Sequence, residues 1–212
     1  MLASTGAHAA GGPYAVDDVA IGMPGECQVE SWVSFARNRD FIGTTQPACV
    51  LKFGSTPVEI TTALAGVRGD DVWAAVTGLQ AKVILIPVEP RNIGMALSVG
   101  MLVDATHGER LTYVNLPVTI KLHDNFRVNV NGGALWAEDV HFTWGAGFEW
   151  EFRQRWTLLA EVFGQSGHAS DARIQGGLRY TPVKSIDVDV IYGHNIAGEN
   201  AHWITAGLTA RF

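Results

Sequence analysis

No run of about 18 apolar residues occurs anywhere in the 212 residues, which excludes a transmembrane helix. Charge is scarce as well. Only 17% of residues are Asp, Glu, Lys or Arg, against 47% hydrophobic, whereas a water-facing surface carries roughly 25–35% charged residues. There is no basic cluster, and the net charge is -6, so nucleic acid is not an expected partner. Stretches with the 3.6-residue helical period are missing too. With helices and ample surface charge both absent, a membrane location is open only to a closed β-barrel, which pairs all its backbone groups in lipid.

The chain instead holds short alternating segments between polar turns. Twelve strands are expected, over roughly 26–36, 43–53, 58–68, 72–86, 93–103, 111–122, 126–137, 141–152, 156–165, 172–181, 186–194 and 202–212. Pro117 weakens the sixth, because proline cannot donate to a ladder. On the eighth, Phe142, Trp144, Ala146, Phe148, Trp150 and Phe152 share one face, opposite Thr143, Gly145, Gly147, Glu149 and Glu151. The last strand alternates in the same way, with Ile204, Ala206, Leu208, Ala210 and Phe212 on one side. Connections after even-numbered strands are tight, such as 183–185, and several after odd ones are longer, such as 104–110, 165–171 and 195–200. Outer-membrane barrels have this asymmetry, with short turns on the periplasmic side. The fold class expected is therefore all-β: an antiparallel up-and-down transmembrane barrel in the bacterial outer membrane, with both termini periplasmic.

Aromatic residues mark the two ends of the apolar face. Phe126 and Trp136 lie ten residues apart, as do Phe142 and Phe152; such a tilted span covers roughly 24 Å of the membrane normal, close to an apolar band about 25 Å tall. Trp and Tyr favour the two membrane interfaces. The girdles expected against outer-membrane lipid comprise Phe126, Phe152, Trp156, Tyr180 and Phe212 at the periplasmic rim, and Trp73, Trp136, Phe142, Tyr192 and Trp203 at the outer rim. A last strand ending on Phe212 also suits reading by the outer-membrane assembly machinery.

The opposite face is polar and its charges balance. It carries Lys52, Lys82, Lys121, Arg127, Arg173, Arg179 and Arg211 against Glu30, Glu59, Glu149, Glu151, Glu161, Asp187 and Asp189. Buried charges persist only when paired or wet. Two arrangements remain open: a salt-bridged, filled lumen, or a narrow pore with arginines facing carboxylates across it. Twelve strands fall between filled eight-stranded barrels and open porins of 16–18. Residues 10–25 are too irregular for a strand and too apolar for a simple tail; they form either a periplasmic segment or a lumen plug, with Asp17 and Asp18 expected to pair with Arg179 or Arg211. Residues 1–9, with Ala7-His8-Ala9, are expected to be the remnant of a signal peptide or a disordered tail. The barrel proper is 26–212. Centring a hairpin on Asn38 sets Cys27 opposite Cys49, and an exported protein meets an oxidising compartment, so a disulfide is expected there.

Pro13-Tyr14-Ala15-Val16-Asp17-Asp18-Val19, then Gly25-Glu26-Cys27-Gln28-Val29-Glu30, resembles the opening of the outer-membrane proteins linked to the meta-cleavage pathway of phenol degradation (the MetA-pathway transporter-like family). Val16 and Val19 stand where that family has Thr and Ala, and Leu79-Gln80-Ala81-Lys82 resembles its mid-chain strand. The resemblance is short. It implies a channel for small, hydrophobic or aromatic solutes, and no binding residue is carried over. Two other functions compete: a closed barrel with a structural or partner-binding role, and a lipid-modifying hydrolase. The hydrolase needs a Ser-His pair with an orienting group. Its candidates are His141, His194 and His202 with Ser98 or Ser166, and the loop 167–171, and none forms a motif. No phosphate-binding loop, zinc pattern or calcium loop is present, so no metal or cofactor is expected.

Overall fold

Period-two alternation needs a neighbour on each side of every strand, and the chain supplies it by closing on itself. The computed structural model describes residues 13–69, 71–166, 172–196 and 202–212. Twelve strands form one closed antiparallel barrel: β1 (Cys27–Ala36), β2 (Phe41–Phe53), β3 (Thr56–Gly69), β4 (Val72–Ile86), β5 (Ile93–Asp104), β6 (Arg110–His123), β7 (Phe126–Trp136), β8 (Val140–Arg153), β9 (Trp156–Gln165), β10 (Arg173–Val183), β11 (Ile186–Asn195) and β12 (His202–Arg211). Each strand pairs with its sequence neighbours, and β1 closes on β12. At that seam the backbones of Cys27 and Phe212 exchange two hydrogen bonds of 2.9 Å. The start of β1 and the end of β12 thus lie at one rim, called here the terminal rim.

The proline difficulty resolves locally. The β5–β6 ladder skips from Met95↔Val118 to Ser98↔Asn115, leaving a gap where Pro117 has no N–H to give. Pro47 sits at a similar gap in the β2–β3 ladder, between Thr45↔Leu64 and Ala48↔Thr61. Turns at the terminal rim are two residues long after β2, β6, β8 and β10, but the β4–β5 connection departs from the expected asymmetry and runs over 87–92.

The apolar face points outward. Phe35, Trp73, Phe142, Tyr192 and Ile204 at the far end, and Leu51, Phe53, Phe152 and Phe212 at the terminal rim, are all exposed. Trp156 and Tyr180 pack ring to ring at 4.7 Å on neighbouring strands. An apolar belt of this extent would not stay dissolved; it calls for an apolar solvent. Trp203 differs from expectation. It has the parity of Thr205 and Thr209, both buried inside, while Ile204 faces out at 57% exposure. Trp203 therefore points into the barrel and belongs to no girdle; the outward ring at that end is His202, bonded to the Tyr192 hydroxyl.

Cys27 and Cys49 are register partners and form a disulfide. The bridge closes a loop with a sequence separation of 22, which the chain-entropy relation values at about 3 kcal/mol. Replacing both cysteines with alanine should lower the urea midpoint of the refolded barrel accordingly. An unchanged midpoint would show that the hairpin alone fixes this corner.

Candidate functional site

The inward face encloses a lumen, and residues 13–22 run through it. Their backbone is held by side chains from around the wall. Glu161 accepts from the amides of Ala15 at 2.6 Å and Val16 at 3.0 Å. Asn131 accepts from the Asp17 amide and donates to its carbonyl, both at 2.7 Å. The Thr119 hydroxyl accepts from Val19 at 3.0 Å, and Gln175 donates to the Pro13 carbonyl at 3.1 Å. A backbone without its own sheet or helix needs such partners when it leaves water. Val16 and Val19 are each 2% exposed, so the segment also supplies apolar filling.

The two aspartates meet a partner that the sequence did not suggest. Lys82 Nζ lies 2.8 Å from Asp17 Oδ1 and 3.6 Å from Asp18 Oδ1. Lys82 reaches inward from β4, opposite Glu59 on β3. The arginines are engaged along the wall. Arg179 Nε bonds Asp189 Oδ1 at 2.9 Å, and its guanidinium lies 5.5 Å above the Tyr14 ring. Arg211 binds Asp187 at 2.6 Å, and Arg127 binds Glu149 at 2.7 Å. Each of these pairs joins adjacent strands. These pairs run along the wall between neighbouring strands, which bring opposite charges closer than opposite walls can. Burial pushes the Tyr14 phenol above its ordinary range, which keeps it neutral beneath Arg179.

Three of the expected lumen residues sit at the mouths. Lys121 bridges Glu89 and Asp124 in the terminal-rim turns. Glu151 is exposed at that rim and Arg173 at the other. Lys82, Glu149, Glu161, Arg179, Asp187 and Asp189 lie deep, each 7% exposed or less.

The lumen has two tiers. From residues 13–22 down to the terminal rim, the wall carries the ion pairs just described. From them to the far rim it is nearly uncharged: Trp32, Leu102, Tyr113, Leu135, Phe163 and Trp203 face in and are half-buried. Sequence reasoning missed this tier. In 63–67 and 72–76 both faces are apolar, so alternation blurs where the lumen is apolar too. The signal available was parity, which assigns Trp203 to the inside.

The hydrolase candidates do not assemble. Ser166 Oγ accepts from the Phe142 amide, while His141 Nδ1 meets the Ser166 carbonyl. His194 and His202 stack on each other at 4.4 Å on the outward face. Ser98 is buried opposite Lys82. The loop 167–171 lies outside the described residues. No cluster of His, Cys, Asp or Glu suited to a metal occurs among the described residues.

A closed barrel of an even number of antiparallel strands, apolar outside and polar within, defines the class of outer-membrane-type barrels. The chain belongs to the family described as "Uncharacterised conserved protein UCP029691", which matches residues 1–212. Its fold is similar to three solved structures of outer-membrane channels. The COG4313 outer membrane channel from Pseudomonas putida F1 superposes with a TM-score of 0.75 and 11% identity, over 92% of this chain and 98% of that one. The KdgM porin in complex with disordered oligogalacturonate gives 0.70 and 11%, over 87% and 99%. The CymD monoaromatic hydrocarbon channel gives 0.54 and 8%, over 89% and 88%. No curated protein matches the chain in sequence.

Proposed function

We propose that this chain is a channel for small solutes in the bacterial outer membrane, with its terminal rim toward the periplasm. The observation that carries the reading is the way the lumen is closed. Among the described residues one extended segment, 13–22, crosses it, and that segment is fixed by side-chain bonds rather than built into the sheet. A barrel that needed only to be a solid post would fill its interior with wall side chains, as eight-stranded barrels do. Filling twelve strands with a separable piece leaves a passage behind it. The solute class we favour is small and hydrophobic or aromatic. The resemblance of residues 13–30 to proteins of phenol meta-cleavage supports this, as does the likeness in fold to a monoaromatic hydrocarbon channel.

Burial of Val16, Asp18 and Val19 favours a second reading, a permanently closed barrel with a structural role. Single-channel recording in planar bilayers separates the two. The intact chain is expected to give small or rare openings, and deletion of residues 13–22 to give steady conductance. Silence from both proteins would reject the channel and leave the closed barrel.

A further inference from the structure

We propose that the outward face of the far rim docks the phosphorylated glycolipid of the outer leaflet, the lipid A part of lipopolysaccharide, on the arginines of β1 and β3. The inference rests on the reading that the terminal rim faces the periplasm, which sets the far rim in the outer leaflet.

One row of side chains crosses β1 to β4 at this end. Phe35 of β1 pairs with Phe41 of β2, Phe41 with Arg68 of β3, and Arg68 with Trp73 of β4. The rings form a chain, Phe35 to Phe41 at 5.1 Å and Phe41 to Trp73 at 5.7 Å, and Phe35 and Trp73 are exposed. The Arg68 guanidinium is set into that row, 5.7 Å from the Trp73 ring centroid. Its Nε and Nη2 both donate to the Arg39 carbonyl. The group is therefore held before any ligand arrives, which lowers the cost of ordering it, and Nη1 is left to bond one. Arg37 extends β1 by one step, its amide donating to the His202 carbonyl at 2.8 Å. It has the outward parity of Phe35 and is exposed.

Parity separates the lipid-facing charges from those of the loops. The chain is acidic overall, with a net charge of -6, yet Arg37, Arg68 and Arg110 have outward parity at this end of β1, β3 and β6. The acids lie elsewhere. Asp40 pairs with the inward Ala36, Asp104 has inward parity, and Asp71, Glu109, Glu138 and Asp139 sit in the connections. Arg37, Arg39 and Arg68 form no ion pair with a carboxylate among the described residues. Arginine above an aromatic belt matches a phosphate above acyl chains. Lipid A carries phosphates at both ends of a disaccharide, so one molecule can meet Arg68 and Arg37 together and lay acyl chains on the rings below. A glycerophospholipid with a single phosphate cannot meet both.

The test is native mass spectrometry of the full chain, refolded in detergent micelles and mixed with purified lipid A. The intact protein is expected to retain lipid A, and phosphatidylglycerol in excess is expected not to displace it. Arg68→Gln should weaken retention about tenfold, as loss of a charge-assisted bond to phosphate does. Arg37→Gln should weaken it too, and it serves alone if the other variant does not refold. Lys184→Gln, in a turn of the terminal rim, should leave retention unchanged. Retention that survives both arginine substitutions, an equal loss with Lys184→Gln, or displacement by phosphatidylglycerol would overturn the site. Asn38→Cys, in the turn beside Arg37, tests the orientation separately with a membrane-impermeant maleimide. Labelling on intact cells is expected. Labelling only after lysis rejects the orientation and the site with it. Labelled cells together with arginine-independent retention reject the site alone.

Discussion

Replacing Lys82 with methionine is expected to free residues 13–22 from the lumen while the barrel stays folded. Lys82 is 3% exposed at its side chain and lies 2.8 Å from Asp17 and 3.6 Å from Asp18, with Glu59 its register neighbour. Removing one partner of a buried pair costs about 3–5 kcal/mol, chiefly because the other charge remains without compensation. Two ways exist to relieve that cost: protonate the carboxylates, or carry Asp17 and Asp18 out to water. The second also breaks the bonds of Ala15, Val16, Asp17 and Val19 to the wall, and those are neutral bonds or single charge-assisted ones. The strand ladders are untouched, so the barrel should keep its heat-modifiable migration in gels. Expected together are protease cleavage within residues 13–22 and conductance close to that of the deletion. Adding Asp17→Asn and Asp18→Asn should restore closure, since the neutral amides no longer need the lysine. If Lys82→Met stays protease-resistant and silent, the segment is held by its apolar and backbone contacts, and Lys82 is no latch.

Arg179→Met should be the most destabilising single change in the terminal tier. The guanidinium is 3% exposed, bonds Asp189 through Nε and Nη2, and lies 4.0 Å from Asp187. Methionine fills much of the space and leaves Asp189, itself fully buried, without its bidentate partner. The expected loss is about 3–5 kcal/mol, seen as a lower urea midpoint for the refolded barrel. Asp187 fares better, since Arg211 and Thr181 still bind it, each at 2.6 Å. Arg179→Met combined with Asp189→Leu should recover most of the loss, because both charges are then gone. Arg179→Lys should recover little, as an ammonium cannot reproduce the fork or lie over the Tyr14 ring. Additive losses in the double variant would mean that the pair contributes through packing rather than through charge.

The sequence carried the strands legibly, and the reason is local. Where one face meets an apolar medium and the other water or ions, period two is strong, as at 142–152 and 204–212. Strand ends agree with expectation to within two residues because polar turn residues punctuate them. The Cys27–Cys49 pairing followed from hairpin symmetry alone. What alternation does not record is depth. Trp203 was expected at a rim from its place near a strand end, although its parity, opposite to Ile204, sends it inside. Partners of the irregular segment were equally hidden: nothing periodic relates Asp17 to Lys82, 65 positions away. The lateral pairs were closer to view, since Arg127 and Glu149 are register partners of one hairpin, as are Arg179 and Asp189.

The covalent link between β1 and β2 has a consequence for how the cylinder can come together. The bridge lies at the terminal rim beside the seam where Cys27 meets Phe212. Once oxidised, the first hairpin cannot slip by a residue without breaking a bond, so it presents a fixed edge to the last strand. Any slip would turn the outward face of that edge inward. The twelfth strand then docks on a template of settled phase, and the junction left to hydrogen bonds alone at that corner is the β1–β12 one. If the wall ever parts sideways there, it parts along that line rather than between the first two staves.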